Sequence, residues 1–262
     1  MDKRQIASTF TACLIDSMDH FFTDSELASM RALTTRYQKN KEALSLEQQK
    51  REWQRLTIEL SWKSSQIEGN TYPLLDTEAL LSHDRLAPNT TKEEAQMIRN
   101  HKLALDYCLL NPEEYRQLTL RKIEDIHRLL VDGLDVSHGL RQGLFRITGT
   151  NYKPLDNSHQ IQENLERMAG CINAQEDTFH RALTAVLLIS YIQPFMDGNK
   201  RTGRLVGNAL LNEAGACPLS YRSVDPVDYK KAMLIFYEQH SLRYFKELFM
   251  AQYQFSVENY FV

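Results

Sequence analysis

The sequence predicts an all-α protein, and two observations support this. Most long segments repeat apolar residues three and four apart, the period of a helix with one buried face. Only 10 glycines and 7 prolines punctuate the 262 residues. A composition of 42% hydrophobic and 25% charged residues is typical of a globular chain with a sizeable core. We therefore expect a helical bundle, with one main domain and an extension.

Charge and cysteine content exclude several classes of function. A formal net charge of −3 gives no general case for a nucleic-acid partner. No apolar run is long enough to span a bilayer, and the N-terminus leads into no signal-peptide core, so no membrane partner is expected. The four cysteines are far apart and lack metal-type spacing. Free thiols in a reducing compartment are expected, which predicts a cytoplasmic protein.

The first 85 residues are predicted to form an N-terminal helical extension. Residues 3–40 predict one or two helices, because an apolar stripe runs from Ile6 to Met18. Ser45 and Gln48 fit a capping box that begins a long helix. That helix is predicted to end at Gly69, followed by Asn70, which is a good C-terminal stop. A short helix is expected near Thr77–Ser82.

Residues 86–262 are predicted to form the core domain. Thr91 and Glu94 are three apart and cap a helix over Lys92–Leu110. The segment Thr178–Ile192 is apolar nearly all round, which places it at the centre of the bundle. Further helices are predicted from Thr119, over Gln160–Asn173, from about Lys200 through Leu205 to a stop at Gly215, from Pro226 and over about Ser241–Phe261.

Residues 138–156 interrupt the helical pattern. Leu144 to Thr148 alternate weakly between apolar and polar, and the turn Gly149–Tyr152 follows. This pattern predicts a small β-hairpin lying on the helical body, since a lone hairpin is only marginally stable. It is either a surface excursion or a lid or docking edge.

The segment 191–204 has the order of a phosphate-binding site. An apolar run ends at Pro194, a short turn follows, and a helix then begins with basic residues in its first turns. Free backbone N–H groups and the positive end of a helix dipole would face the turn. Arg201 and Arg204, three apart, would repel each other on one helix face unless an anion offsets that cost. In the turn, Asp197 could hold Mg²⁺ beside bound phosphates.

This segment resembles the signature of the Fic family, His-x-Phe-x-Asp/Glu-Gly-Asn-x-Arg-x-x-Arg. Every fixed position matches except the first, where Gln193 stands in place of histidine. The resemblance covers roughly residues 60–250 and implies the Fic fold, a helical bundle with one β-hairpin flap. It also implies transfer of AMP from ATP to a Ser, Thr or Tyr hydroxyl of a target protein. Lys200 is a second departure, because most AMP-transferring relatives have glycine there, whereas lysine occurs in some Fic-like chains and in the related Doc proteins, which transfer phosphate.

The resemblance implies a role for each matching position. Asp197 matches the acid that binds Mg²⁺, and the two arginines match the groups that bind ATP phosphates. The implied catalytic residues are Gln193 at the histidine position, Asp197 and Arg201, and the implied nucleotide-binding residues are Gly198, Asn199, Lys200, Arg201, Gly203 and Arg204.

Gln193 limits how far the family's chemistry carries over. The family histidine takes the proton from the target hydroxyl, and an amide has no useful titration. Losing a positioned general base typically costs on the order of 10²–10⁴ in rate. Three explanations remain open: an engineered inactive form, a natural pseudoenzyme that binds nucleotide without turnover, or another base.

A second motif lies upstream. Ser64 to Gly69 resembles the family's inhibitory motif, Ser/Thr-x-x-x-Glu-Gly/Asn, with Glu68 as its acid and Ser64 and Gly69 at the flanking positions. A glutamate reaching Arg204 would form a charge-assisted pair and occupy the place of an ATP phosphate. This would place the protein in the class with an N-terminal inhibitory helix. The resemblance also makes 143–154 the flap, whose edge pairs with an extended target segment. The flap candidates are Thr148, Gly149, Thr150 and Asn151.

The sequence therefore predicts a Fic-type protein adenylyltransferase that uses ATP and Mg²⁺, is inhibited by Glu68, and is impaired or abolished in transfer by Gln193. The alternatives are an inactive nucleotide-binding regulatory or interaction protein and a Doc-like phosphotransferase. The expected partners are a nucleotide, a target protein with an acceptor hydroxyl and, through the N-terminal helices, a second copy of the chain.

Overall fold

A computed structural model describes residues 7–262, so Ile6 and the start of the first predicted helix at residue 3 lie outside the described residues. Within that range the chain is helical and the all-α prediction is confirmed. The helices are α1 (Cys13–Asp16), α2 (Asp24–Ala43), α3 (Leu46–Ile67), α4 (Leu74–His83), α5 (Lys92–Leu110), α6 (Leu120–Val131), α7 (Ser158–Ala174), α8 (Thr178–Ile192), α9 (Asn199–Glu213), α10 (Pro226–Gln239) and α11 (Arg243–Asn259), with a 3₁₀ helix at Pro112–Arg116.

Local capping explains where several helices begin. At Ser45 and at Thr91 the side-chain oxygen accepts from the third backbone N–H of the helix, and Gln48 and Glu94 bond back to the cap residue. Each bond satisfies a donor that the first turn leaves free. These two predicted helix starts are confirmed.

Of the one or two helices predicted over residues 3–40, α2 is confirmed, whereas the apolar stripe that begins at Ile6 forms only the short α1 within the described residues. Helix α1 has 4 residues, and α2 does not begin until Asp24, because Thr23 forms a capping box with Glu26. The chain before α1 is an extended strap instead. In it, Phe10 N–H donates to the Lys153 carbonyl over 3.1 Å. A local periodicity could not reveal this contact with a segment far along the chain.

Helices α8 and α9 form the centre of the fold. Every residue from Ala182 to Ile192 is buried. Two glycines of α9 let the helices approach closely, since a Cβ at Gly203 would lie 3.0 Å from the Val186 carbonyl oxygen and one at Gly207 would lie 2.7 Å from Val186 Cγ2. The turn between α8 and α9 is therefore held by two tightly packed helices.

The largest buried core contains residues on both sides of position 85, including Leu56 and Leu60 of α3 and Phe249 of α11. The division into an extension and a core domain stays a prediction. Between residues 7 and 262, no helix combines the length and apolar character needed to cross a membrane.

The predicted β-hairpin is wrong. Residues 141–157 form no β-ladder, and their one bridge joins Lys153 to Thr9 of the strap. The Arg141 guanidinium explains the difference, because it donates to the Gly143 carbonyl over 3.0 Å and to the Leu155 carbonyl over 2.5 Å. Gly143 N–H also donates to the Asp156 carbonyl. The flap, residues 143–154, is thus a loop, and the buried Arg141 closes it through the carbonyls of Gly143 and Leu155.

Candidate functional site

The loop between α8 and α9 is fixed by the side chain of Asn199. Its amide oxygen accepts from Phe195 N–H over 2.9 Å, and its nitrogen donates to the Phe195 carbonyl over 2.8 Å. Gln193, at φ 51°, ends α8, and Gly198, at φ 80°, precedes α9. Gly198 suits this position because the left-handed region is strained for most residues with a Cβ. The loop therefore has one well-defined path between the helices.

Gln193 is fully engaged within the protein. Its side-chain nitrogen donates to the Ser190 carbonyl over 2.5 Å and to the Tyr237 hydroxyl over 3.3 Å, and its oxygen accepts from Asn199 over 2.9 Å. Its backbone carbonyl accepts from Arg141 over 2.6 Å. The side chain is buried and has no titratable group. Gln193 consequently shapes the loop and offers no base.

Arg201 and Arg204 are buried and only partly bonded. Their exposures are 1% and 0%. Arg201 Nη2 donates to Asp197 over 2.9 Å, while Arg204 bonds through Nε and Nη2 to the hydroxyl and carbonyl of Ser64, each over 2.9 Å. Nε and Nη1 of Arg201 and Nη1 of Arg204 have no partner. Buried charged donors without partners are costly, so an anion that bonded to them would stabilise the site.

The carboxylate of Glu68 occupies this cationic cluster. Its two oxygens lie 2.9 Å from Arg204 Nη2 and 2.9 Å from Lys200 Nζ. Burial would raise the pKa of Glu68, but Arg204 and Lys200 outweigh it and lower that pKa to about 2. Burial alone would lower the pKa of Arg204, yet Tyr229 and Glu68 raise it. Glu68 is thus an anion held by two cations.

The end of α3 holds Glu68 in place. Gly69 follows it at φ 106°, a conformation that an L side chain rarely adopts. Asn70 N–H then donates to the Ser65 carbonyl over 3.1 Å, and the Asn70 amide donates to the Glu94 carbonyl of α5 over 2.9 Å. The backbone turn therefore ties the glutamate to a second helix. The contact of Glu68 with Arg204 is present, and its inhibitory role stays a prediction.

A cavity of about 410 Å³ lies over the loop, between the flap and α10. Its volume is in the range of small-molecule sites. Apolar side chains come from the flap and α10, and polar groups come from the loop and α3. Its lining residues include Phe145, Ile147, Met233 and Leu234 on the apolar side and Glu68, Gln193, Asp197, Asn199, Lys200 and Lys230 on the polar side.

Asp197 is the acidic group best placed to meet a cation. Its side chain is 61% exposed and pairs with Arg201. Among residues 7–262 no group of three or more His, Cys, Asp or Glu side chains could hold a metal by itself. Mg²⁺ commonly needs only one or two carboxylates, because substrate phosphates and water supply its other ligands. The residues present fit that mode of binding.

The flap is anchored on α10 beside the cavity. The Thr150 hydroxyl donates to Glu238 over 2.6 Å, and a Cβ at Gly149 would lie 3.5 Å from Leu234. Thr148 lines the cavity, and Asn151 is exposed. The structure thus brings Thr148 to the cavity and places Asn151 on the surface.

One residue of the site has no signal in the sequence. His127 of α6 stacks on Phe195 with ring centroids 3.7 Å apart, and its Nε2 lies 3.0 Å from the Asp197 carbonyl oxygen. Burial lowers the pKa of His127 to about 4, so the ring is neutral and Nε2–H donates to that carbonyl. His127 positions the acidic turn across 70 residues of chain. Sequence spacing alone could not connect His127 with Asp197.

Gly203, which was predicted to bind nucleotide, is explained by its close packing on Val186 of α8.

The comparisons with known proteins agree with this geometry. Residues 117–211 match the profile described as the Fic/DOC family. The chain is 31% identical over 179 residues to the protein adenylyltransferase Fic of Nematostella vectensis, a match that covers 64% of this chain and 40% of that protein. The chain thus spans less than half the length of this relative.

Two solved structures share the fold. Caenorhabditis elegans Fic-1 superposes with a TM-score of 0.73 at 21% identity, over 95% of this chain and 72% of that one. A Fic-domain-containing signalling protein from Bacteroides thetaiotaomicron gives a TM-score of 0.70 at 19% identity, over 87% of this chain and 94% of that one. The helical bundle around α8 and α9 is therefore a known architecture.

Proposed function

We propose, on the premise that this is a chain of the Fic/DOC family, that it binds ATP between the flap and α9 and is a protein adenylyltransferase held in an inhibited state. The observation that carries the proposal is the position of the Glu68 carboxylate between Arg204 and Lys200. A carboxylate contacts a cluster of two buried arginines and one partly exposed lysine, and this cluster still has three unbonded guanidinium nitrogens. A polyphosphate carries more acceptor oxygens than one carboxylate and would satisfy more of these donors.

Each part of the site would meet a part of the nucleotide. Lys200, which lines the cavity, and the buried Arg201 and Arg204, which do not line it, would receive phosphate oxygens. The N-terminus of α9 would add backbone N–H groups and its dipole. Asp197, which is exposed beside them, would hold Mg²⁺. The apolar flap and α10 side chains would cover the base. ATP would supply the AMP group, and the protein residues would bind and orient it.

Glu68 would act as the inhibitor by competing for the same cations. It bonds to Arg204 and Lys200, so a phosphate could reach those groups only after the carboxylate leaves. Because the pKa of Glu68 is about 2, protonation near neutral pH would not release it. Displacement by a stronger anion or movement of α3 would be required.

The flap would dock the target protein. Its exposed residues near Asn151 lie beside the cavity, where a target hydroxyl could approach bound nucleotide. The strap already occupies Lys153 by a backbone bridge, so an extended target segment would have to pair elsewhere along the flap. Target docking would therefore use residues 144–151.

A second candidate function, nucleotide binding without turnover, is favoured by one observation. Gln193 stands at the position of the base and is fully bonded to Ser190, Tyr237 and Asn199. It cannot take a proton from a hydroxyl. In this form the chain would sense nucleotide and bind a partner, with AMP transfer weak or absent.

Calorimetric titration of ATP and Mg²⁺ into the intact chain and into Glu68→Gly tests the proposal. Removing the competing carboxylate is expected to tighten ATP binding by about tenfold or more, in the range of coupling energies between competing ligands. Glu59→Gln is the matched control, since Glu59 is a buried glutamate of the same helix that pairs with Arg222 far from the cavity. The proposal is wrong if Glu68→Gly fails to bind ATP, and product mass would distinguish AMP transfer from phosphate transfer.

A further inference from the structure

Helix α5 places a second buried histidine near the two arginines. His101 has no exposed surface, and its Nδ1 lies 3.3 Å from the Ser61 hydroxyl of α3. Its other ring nitrogen, Nε2, has no partner. A buried polar atom without a partner is rare in a folded protein and calls for an explanation.

The unbonded Nε2 is one of a group of such atoms. Ser65 Oγ, two nitrogens of Arg201 and one of Arg204 are also buried without partners. These residues belong to α3, α5 and α9, which pack against one another. Ser61, which contacts His101, is one helical turn from Ser64, which contacts Arg204. The unpaired donors and the unpaired ring nitrogen therefore belong to three helices that pack against one another.

The chemistry of these groups is complementary. Burial lowers the pKa of His101 well below 6.5, and the charges of Arg204 and then Arg201 lower it further. The imidazole is therefore neutral and has one nitrogen lone pair to accept a bond. The unpaired nitrogens of the arginines can only donate. A buried water can join such groups, because it typically makes about three hydrogen bonds.

We propose that His101 is a positioning residue for the nucleotide-binding arginines. With Nδ1 directed at Ser61, Nε2 accepts a hydrogen bond from one buried water that in turn accepts from Arg201 or Arg204. This bond holds the guanidinium groups in place behind the phosphates when Glu68 has left. The inference rests on the proposed function, and it adds a residue that no part of the signature contains.

Two polar substitutions separate a positioning role from a structural one. Glutamine at 101 places its terminal amide near the site of Nε2, whereas asparagine places it near the site of Nδ1. On a Glu68→Gly background, His101→Gln should retain ATP affinity within about threefold, while His101→Asn should weaken it about tenfold, as expected for losing a hydrogen bond to a charged group. Calorimetry gives both affinities, and thermal melting without ligand gives the stability of each variant.

His180→Asn is the matched control, because His180 is also a buried histidine and lies at the N-terminus of α8. It should lower the melting temperature and leave ATP affinity unchanged. Equal ATP affinities for His101→Gln and His101→Asn would overturn the inference, as would losses that follow melting temperature alone.

Inorganic tripolyphosphate serves as a second probe for the same series. It contacts the arginines without needing a nucleoside site, so it reports on His101 separately from the proposed function. If Glu68→Gly binds tripolyphosphate but not ATP, the nucleotide proposal fails and the Gln and Asn variants still decide the role of His101. If it binds neither, both proposals are wrong.

Discussion

The two ends of the segment from Gln193 to Arg204 differ in how fully their polar groups are bonded. At the first end, the side chains of Gln193 and Asn199 make hydrogen bonds with Ser190, Tyr237 and Phe195. At the second end, Arg201 and Arg204 are equally buried but keep three nitrogens without partners.

Under the proposed function, this difference predicts that the arginine half of the site binds the ligand. Unbonded buried cations lower stability and are retained where an anion can complete them. Glu68 completes them in part. The Gln193 end is completed within the protein and gives the chain nothing that takes a proton. The proposed function therefore predicts that binding and transfer are separable in this chain, so that variants can alter one end at a time.

The largest expected effect comes from placing a general base at position 193. In a Glu68→Gly background, Gln193→His should raise AMP transfer by about 10²–10⁴, because it supplies a general base. The measurement is AMP incorporation into the chain itself, or into a candidate target, by mass spectrometry. Gln252→His is the control, since Gln252 is a buried glutamine on α11. If native Gln193 supports transfer at the rate of the histidine variant, Gln193 does not limit the reaction.

The next effect concerns the charge of Glu68 and pH. Its folded pKa of about 2 lies below the model-compound value of 4.5, so its charged form stabilises the fold above that value and the contribution is lost as pH falls toward 2. By linkage this is about 3 kcal/mol of the free energy of unfolding. Urea unfolding from about pH 6 to about pH 2 should show the difference between the intact chain and Glu68→Gln changing by that amount. If the unfolding free energies of the intact chain and of Glu68→Gln change in parallel with pH, then Arg204 and Lys200 do not stabilise the charged form of Glu68.

The variant Asn199→Ala should lower the free energy of unfolding by about 2 kcal/mol. It removes the side chain that bonds to the N–H and the carbonyl of Phe195, and these buried groups are then left without partners. Asn208→Ala is the matched control, since Asn208 clasps Leu219 N–H and carbonyl in the same way and lies away from the loop. Both Asn199→Ala and Asn208→Ala should have a lower melting temperature than the intact chain. In the Glu68→Gly background, Asn199→Ala should also weaken ATP binding, whereas Asn208→Ala should not. Equal ATP affinities of these two variants would argue against a role for the shape of the loop.

The smallest expected effect differs in size between two backgrounds. In the Glu68→Gly chain, Lys200→Ala removes a phosphate contact and should weaken ATP binding about threefold. In the intact chain the same change also removes one of the two cations that hold Glu68, through a partly exposed ion pair, so the two effects oppose each other and ATP affinity should change less. Lys231→Ala on α10 is the control. Equal weakening in both backgrounds would mean that Lys200 does not hold Glu68.

Much of the fold was predictable because its signals are local. The capping boxes at Ser45 and Thr91, the apolar segment that became α8, and the helix start at Pro226 each depend on a few adjacent residues. The loop conformation of the flap was not predictable, because it depends on bonds from the side chain of Arg141, which lies outside residues 143–154. The strap was missed for the same reason, since its partner is Lys153.

The candidate site divides along the same line. The order of residues from Asp197 to Arg204 indicated cations at a helix start next to a turn, and the motif around Glu68 indicated its contact with Arg204. The burial of the two arginines was not predicted. The two histidines behind the site, His101 and His127, were not predictable, because each comes from another helix and acts through a tertiary contact. The sequence also could not show that Gln193 is bonded on every side, which depends on Tyr237 of α10.

A crystal structure of Glu68→Gly, with Gln193 retained and with ATP and Mg²⁺ added, tests the central claim most directly. We predict phosphate oxygens within hydrogen-bond distance of Arg201 Nε or Nη1 and Arg204 Nη1. The Gln193 side chain should keep its bonds to Ser190 and Asn199. Phosphates bound elsewhere, or a Gln193 side chain that leaves those bonds and turns to the nucleotide, would contradict the separation of a binding end from a transfer end.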